Sequence, residues 1–341
     1  MKFDFVIGNP PYQDNTLGEN ESFAPPVYNL FMDQSYSVAD KVELIHPARF
    51  LFNAGATPKS WNQKMLNDEH FKILLYEPKS STIFPNTDIK AGIAISYRDN
   101  SKEFGSIGQF LIYNELKSII SKVDSNKNLG SIVYSSEAYH FTEIMHEDFP
   151  NIEELLSKGH KYDFKSNVLE KLDGIVFFDS KIENYSCAKI IGVIKNTRCE
   201  KYIKDIYIKS PDNYNFYKVF LSRANGSGTF GEALTPPFVV DKETGHTQTF
   251  MSIGKFNTQF EASACCKYIK TKFLRTLFGV KKVTQSIPIS AWEMVPLQDF
   301  TENSDIDWTK SISEIDQQLY KKYNLTQDEI NFIEEKVKEM E

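Results

Sequence analysis

The sequence is poor in cysteine and has no long apolar run, and both absences narrow its class. The cysteines of the 341-residue chain are Cys187, Cys199, Cys265 and Cys266. They form no CxxC pair and have no histidine at zinc-finger spacing, which argues against a structural zinc site and favours reduced thiols, and we predict no metal-ligating residues. Lys2, Asp4 and Asn9 interrupt the hydrophobic stretch near the N-terminus, and no later stretch reaches transmembrane length. We therefore expect no membrane span, no signal peptide and a cytoplasmic location.

Excess positive charge is also missing. The formal net charge is -7, so nucleic acid cannot be attracted by the surface as a whole, although local charge can still differ in sign. One basic run stands out between residues 267 and 282, where six basic residues occur without an acid. A solvated helix face and a phosphate-contacting surface are both compatible with this run. Its members are Lys267, Lys270, Lys272, Arg275, Lys281 and Lys282.

Hydrophobic patterning predicts an α/β sheet in the first hundred residues. Short β-rich runs at 3–8, 42–45, 71–76 and 91–97 alternate with helical patterns. The predicted helices cover 27–39 after two prolines, a short PARFLFNAG segment, and 59–68. This rhythm is typical of strands that alternate with helices on the faces of one sheet.

The pattern changes after residue 103. A helix-like stretch at 107–123 is followed by many short strand-like pieces joined by Gly- and Pro-rich turns, such as NGSGTFG. The end of the chain reads as two amphipathic helices, with Thr326 as the N-cap of the last. We therefore predict a first domain at 1–103, a mixed α+β domain at 104–300 and a helical tail at 301–341.

The short motif NPPY, residues 9–12, follows the first predicted strand. Pro10 and Pro11 cannot continue a strand ladder and hold the backbone extended, so a carbonyl can point in a preset direction. The Asn9 amide oxygen supplies a second acceptor beside it. Open α/β sheets bind their ligands at the carboxyl ends of the strands, where this motif lies.

Two fixed acceptors suit a planar amino group. The nitrogen of an aromatic amine is a poor nucleophile because its lone pair is delocalised into the ring. Hydrogen bonds from both N–H groups to acceptors favour the form with a localised lone pair. Tyr12 adds a flat face on which a base taken out of its helix can stack. The motif thus indicates chemistry at an amino group.

FDFVIGNPPY resembles motif IV of the S-adenosylmethionine-dependent amino-group methyltransferases, in the form typical of adenine-specific DNA methylases. VELIHPARFL and ILLYEPKSSTIFPNTDIKAGIAISYRD are similar to later strands of that family, so the resemblance covers about residues 1–100. The segments YKVFLSRANGSGTFGE and YIKTKFLRTLFGVKKVTQSIPISAWEMVPLQDF resemble the specificity domain of type II restriction-modification methylases with a TaqI-like C-terminal region.

The resemblance implies a site-specific DNA adenine methyltransferase of a restriction-modification system, acting on a flipped base in double-stranded DNA. Asn9 and the Pro10 carbonyl would accept hydrogen bonds from the adenine amino group, Pro11 would hold the loop, and Tyr12 would stack on the base. The candidate DNA contacts in the second domain are Arg223, Lys267, Lys270, Lys272, Arg275, Lys281 and Lys282.

A methyltransferase of this kind needs a Gly-rich loop and a ribose-binding acid on strands that precede the motif, and only eight residues precede Asn9. The expected fold is therefore the C-terminal half of a Rossmann-like methyltransferase sheet, followed by an α+β target-recognition domain and a helical tail. Its S-adenosylmethionine site would be incomplete. Three explanations remain open: a fragment of a longer enzyme, a split enzyme whose partner is an N-terminal cofactor-binding polypeptide, or a degraded relative without activity. The strand at 3–8 should then be an unpaired edge.

Two other functions remain open at this point. A protein glutamine methyltransferase would use NPPY on an amide nitrogen with the same geometry, but the long second domain favours a polymer such as DNA. A non-catalytic DNA-specificity module would need no cofactor, and an intact NPPY argues against it. His46 could act as a base, but a histidine at the end of a strand before Pro47 more often has a structural role.

Overall fold

A computed structural model describes residues 2–14, 24–123 and 126–340. The chain forms two compact units, Met1–Lys117 with Ser227–Thr229, and Ser118–Gly226 with Phe230–Glu341. The architecture is mixed α/β with several sheets. In the described part of the chain, no helix is both long and apolar enough to cross a lipid bilayer.

The first unit contains a four-stranded sheet in its described residues, with the order β1-β2-β4-β3. β1 and β2 are parallel, whereas β4 runs antiparallel to both of its neighbours, β2 and β3. Its strands and helices are β1 (Phe3–Gly8), α1 (Tyr28–Val38), β2 (Ala39–Pro47), α2 (Lys59–Leu66), β3 (Phe71–Glu77) and β4 (Ile93–Asp99), with short 3-10 turns at Arg49–Phe52 and Ser80–Thr82.

One face of this sheet carries the core of the first unit. Val42 and Leu44 of β2 are buried together with Met32 of α1 and Phe50 and Phe71. The alternation along β2 explains the choice of face, because Lys41 and Glu43, which lie between these apolar residues, point to the other side. α1 and α2 therefore cover the face that Val42 and Leu44 line.

The other face is open along β1. Phe5 and Ile7 are 46% and 71% exposed, and Leu75 of β3 is 45% exposed. β1 pairs only with β2 among the described residues, so its second edge has no strand beside it. An apolar strand with a free edge is a site for pairing with another strand.

The segment after β4 differs from the sequence prediction. A helix is predicted over 107–123, but only α3 (Glu115–Ser121) is helical, and the first unit extends past residue 103 to Lys117. The reason is that Ile107 and Phe110 pack on the first core, with the Phe110 ring 5.4 Å from the Phe52 ring. Gly105 and Gly108 have positive φ and bend the chain around that core.

The second unit is built from smaller sheets. In the described residues their strand orders are β11-β10-β13-β5, β12-β7-β8 and β6-β9. Its strands are β5 (Val133–Tyr134), β6 (His140–Phe141), β7 (Cys187–Ile194), β8 (Thr197–Lys204), β9 (Ile208–Lys209), β10 (Tyr217–Ser222), β11 (Phe238–Val240), β12 (Thr244–His246) and β13 (Phe250–Phe256). Its helices are α4 (Glu143–Asp148), α5 (Val168–Lys171), α6 (Gln259–Lys270), α7 (Lys272–Gly279), α8 (Ile289–Trp292), α9 (Ile312–Lys322) and α10 (Gln327–Lys336).

The C-terminal helices begin with strong caps and pack on this second unit. Thr326 caps α10 in a capping box with Glu329, which confirms the N-cap predicted from the sequence. Asp316 of α9 accepts hydrogen bonds from the backbone N–H groups of Lys272 and Phe273, at 2.9 and 2.8 Å. The tail at 301–340 is therefore joined to the start of α7 rather than standing apart.

Candidate active site

The NPPY turn lies at the carboxyl end of β1, as the sequence predicts. β1 ends at Gly8 and the backbone leaves the sheet at Asn9. Asn9 and Pro11 are exposed, and Pro10 is half-buried. In the part of the chain that the structure describes, the Asn9 side chain and the Pro10 carbonyl have no hydrogen-bond partner. Both oxygens are thus free to accept a hydrogen bond from a ligand.

A second proline segment holds the turn in place. Val27 N–H donates to the Tyr12 carbonyl at 3.2 Å, and Asp14 N–H donates to the Pro25 carbonyl at 2.9 Å. Gln13 forms an isolated antiparallel bridge with Pro26. These contacts give the PPVY segment, residues 25–28, a structural role as the support of the NPPY turn.

A cleft of about 330 Å³ adjoins the turn in the first unit. It includes Tyr12 and Gln13 on one side and Pro47 and Arg49, from the end of β2, on another. β1 and β2 are parallel, so their carboxyl ends open on the same edge of the sheet. The other described lining residues are Ala24, Pro26, Tyr28, Gly55, Ala56, Asp88 and Ile89.

Tyr12 is the aromatic side chain of the motif, and its hydroxyl is in an unusual position. The ring is half-buried, and the hydroxyl oxygen is inaccessible to water without a hydrogen-bond partner in the described structure. Burial raises the pKa of Tyr12. The phenol is therefore neutral at ordinary pH, and it leaves a polar atom unpaired beside the cleft.

The polar groups of the cleft are mostly engaged by their own chain. Arg49 Nε donates to the Lys90 carbonyl at 3.0 Å, and Asp88 forms an ion pair with Lys90 at 2.6 Å. Burial raises the pKa of Tyr28 to about 12. The free Asn9 and Pro10 oxygens are not among the described residues that line the cleft, which the NPPY motif reaches through Tyr12. Tyr28 and Arg49 are cleft residues that the sequence analysis did not identify. The proline-started helix and the PARF segment gave no chemical signal for them.

His46 belongs to the core beneath this site. It is fully buried, and its Nε2 lies 2.8 Å from Ser96 Oγ. Burial lowers the pKa of His46 to about 4, so the imidazole is neutral at pH 7. A buried neutral imidazole that is held by Ser96 fits the structural role expected from the sequence.

Four of the basic residues proposed for DNA contacts bind groups of the second unit itself. Lys267 Nζ donates to the carbonyls of residues 308–310, and Lys272 forms an ion pair with Glu334. Arg275 is 2% exposed and donates to the carbonyls of residues 270, 232 and 338. Lys282 is 3% exposed and forms an ion pair with Glu232. Arg275 and Lys282 are therefore buried groups that contribute to the fold, whereas Lys267 and Lys272 remain half-exposed, and their contact with DNA stays a prediction.

The remaining candidates are at the surface. Arg223 is exposed, and Lys270 and Lys281 are half-exposed. None of the three side chains has a hydrogen bond or ion pair with another described residue. The structure brings together Asn9, Pro10, Pro11 and Tyr12 within one turn, and it places Arg223, Lys270 and Lys281 in the second unit.

Comparisons with known proteins bear on this turn. Residues 1–84 match the family described as Eco57I restriction-modification methylase. A curated protein of Mycoplasma pneumoniae, described as an uncharacterized adenine-specific methylase, is 27% identical over 154 residues. That match covers 43% of this chain and 36% of the relative, so the chain spans well under half of its length.

A solved structure also matches over most of the chain. It is that of the type IIG restriction endonuclease BpuSI, which is 9% identical to this chain. The match covers 92% of this chain and 45% of the endonuclease, with a TM-score of 0.28. A likeness this low supports no argument about the fold. The match over residues 1–84, which contain NPPY, and the match to the adenine-specific methylase confirm the resemblance to restriction-modification adenine methylases that the motif predicts.

Proposed function

We propose that this chain carries the catalytic turn and the target-recognition domain of a site-specific DNA adenine methyltransferase that uses S-adenosylmethionine. The observation that carries the proposal is the NPPY turn, whose two free acceptor oxygens lie at the carboxyl end of β1 beside a cleft. Residues 104–300 would read double-stranded DNA, and the helical tail would brace that domain.

The turn acts on the amino group of a flipped adenine. Asn9 Oδ1 and the Pro10 carbonyl each accept one N–H of the amino group, which localises the nitrogen lone pair toward the methyl donor. Pro11 fixes φ and keeps the Pro10 carbonyl in its direction. Tyr12 stacks on the base and replaces part of the stacking lost when the base leaves the duplex.

S-adenosylmethionine supplies an electrophilic methyl group on a positively charged sulfur. The described residues do not by themselves offer a full site for it: Asp88, the carboxylate of the cleft, is already paired with Lys90. The groups that bind the cofactor would lie on a segment or polypeptide that completes the sheet.

The edge of β1 supports that arrangement. β1, α1 and β2 form a parallel βαβ unit of the kind found in doubly wound, Rossmann-like sheets. The free edge of β1 and the exposed Phe5 and Ile7 would be covered by the added strand. Such an addition extends the sheet beyond β1 and brings the cofactor to the NPPY turn.

The test compares Asn9→Ala with Asn303→Ala, an exposed asparagine in the second unit, in the enzyme that contains both this chain and its cofactor-binding part. Methyl transfer from labelled S-adenosylmethionine to duplex DNA is measured beside DNA affinity. Loss of one preorganised hydrogen bond should lower the rate about a hundredfold or more. DNA affinity and the Asn303→Ala rate should stay at the parental level.

A parental rate for Asn9→Ala would contradict the catalytic role. Together with intact DNA binding, that result would favour the alternative of a non-catalytic DNA-specificity module. A methylated glutamine in a protein substrate, with unmodified DNA, would instead favour a protein glutamine methyltransferase.

A further inference from the structure

Two extended segments of the second unit lie side by side at its surface. Asn225 N–H donates to the Gln285 carbonyl at 2.8 Å, and Ile287 N–H donates to the Arg223 carbonyl at 3.1 Å. Ala224 and Ser286 form the antiparallel bridge between them. The paired segments, residues 223–225 and 285–287, are called the surface ribbon below.

The ribbon rests on buried polar groups that fix its backbone. Asn225 is 4% exposed, and its side chain donates to the Ala233 carbonyl at 3.3 Å. Lys282 Nζ donates to the Asn225 carbonyl at 3.0 Å, and Lys282 is itself paired with the largely buried Glu232. Buried groups that are fully satisfied in this way hold the chain in one arrangement.

The backbone of Arg223 is hydrogen-bonded on both sides, whereas its side chain is free. Its N–H donates to the Thr249 carbonyl at 2.9 Å, and its carbonyl accepts from Ile287. The side chain is exposed and has no partner among the described residues, and the same is true of Gln285 on the opposite segment. In contrast, the nearby Lys282 and Arg275 satisfy internal acceptors.

We propose that the surface ribbon enters the major groove of DNA and that Arg223 reads a guanine there. The planar guanidinium can donate two parallel hydrogen bonds to guanine O6 and N7, and the Gln285 amide can pair in the same way with adenine. Arg223 and Gln285 are both exposed, so their side chains can reach base edges from outside the second unit. This inference rests on the proposed DNA-methyltransferase function and assigns its sequence-reading residues.

The test selects duplexes from a random pool with the whole enzyme and with three variants. Arg223→Ala should lose the preference for guanine at one position and bind the parental site about tenfold or more weakly. Arg223→Lys should also lose that preference but keep the parental salt dependence, because it retains the charge without the bidentate fork. Lys281→Ala is the control that should weaken all sequences alike.

Each outcome decides between the explanations. If Arg223→Ala keeps the parental base preference, whether or not affinity falls, Arg223 is at most a phosphate contact and the inference is overturned. If the parental enzyme selects no sequence at all, the DNA function proposed above fails with it. Equal melting temperatures for the parent and Arg223→Ala would show that the exposed substitution leaves the fold intact.

Discussion

The NPPY turn and the basic run at 267–282 are both prominent in the sequence, and the structure uses them in opposite ways. The turn keeps its acceptors, Asn9 Oδ1 and the Pro10 carbonyl, open at the end of β1. The run places Arg275 and Lys282 in the interior, where Arg275 donates to backbone carbonyls and Lys282 forms an ion pair with Glu232. A motif that ends a strand predicts accessibility, whereas a count of charges does not.

The difference arises from the sequence distance of the partners. Glu232, Asp316 and Glu334 meet the basic run although they lie up to about 60 residues away along the chain. A sequence window with six basic residues and no acidic residue therefore resembles a free positive surface. In the folded protein, acidic residues from distant parts of the chain pair with it. The φ angles of the NPPY turn are set locally by its two prolines, and its supporting partners, Pro25 to Val27, lie close to it along the chain.

The largest expected effect is on stability and concerns the buried part of the basic run. Lys282→Ala removes one partner of a buried ion pair and leaves the Glu232 carboxylate uncompensated, which typically costs about 3–5 kcal/mol. The neighbouring Lys281 has a half-exposed side chain, so Lys281→Ala should change the free energy of unfolding by about 0.5 kcal/mol or less. Urea unfolding of the two variants measures the contrast. Equal stabilities would mean that Lys282 is a free surface charge after all.

The second effect concerns pH and the core below the NPPY turn. His46 has a folded pKa of about 4, below its value of about 6.5 when unfolded, so the unfolded chain binds the proton more readily. Stability is fully present above about pH 6.5 and is lost as pH falls toward 4. At 1.36 kcal/mol for each pKa unit, the loss is about 3 kcal/mol.

His46→Asn should remove that pH dependence from the unfolding of the first unit. The measurement is the free energy of unfolding at pH 7, 5.5 and 4.5 for the parent and the variant. Parallel curves would show that another group carries the acid sensitivity. His246, which is also buried with a pKa lowered to about 4, belongs to the second unit and serves as the comparison through His246→Asn.

The sequence predicted the parts of the fold that depend on local pattern. β1, α1 and the cap at Thr326 follow from an apolar run, a proline start and a hydroxyl before Glu329, and the structure has all of them. The helix predicted over 107–123 was too long, because Ile107 and Phe110 pack on a core formed by residues far earlier in the chain. Tertiary packing of this kind overrides local helical preference.

The candidate site divides in the same way. Asn9 to Tyr12 are contiguous, so their grouping could be predicted, but Tyr28, Arg49 and Asp88 join the cleft only through the parallel β1–β2 pair and the loop before β4. The segments that carry Arg223 and Gln285 lie about 60 residues apart in the sequence and are joined by two backbone hydrogen bonds, from Asn225 to Gln285 and from Ile287 to Arg223. Contacts between residues this far apart in the sequence cannot be predicted from a short sequence window.

A third prediction concerns the free edge of β1. Ile7→Lys places a charge on a side chain that is 71% exposed, so the stability of the isolated chain should change by about 0.5 kcal/mol or less. Association through that strand should weaken, because a lysine blocks edge-to-edge pairing. Sedimentation at several concentrations, beside Asn303→Ala, measures the effect. Unchanged association together with full methyl transfer would show that no strand pairs at β1.

The last prediction concerns Tyr12. Its hydroxyl is buried without a partner, and an unsatisfied buried polar atom costs about 1–3 kcal/mol. Tyr12→Phe removes that atom and keeps the ring, so stability should rise by about 1 kcal/mol while the stacking of a base on the ring is preserved. Tyr12→Ala removes the ring as well and should weaken capture of the flipped base about tenfold, since stacking contributes about 1–3 kcal/mol. Unfolding measurements and fluorescence of a 2-aminopurine at the target position test the pair. A Tyr12→Phe variant that is less stable than the parent would show that the hydroxyl makes a hydrogen bond in solution. The NPPY turn would then resemble the basic run, because its polar side chain would also have a partner within the protein.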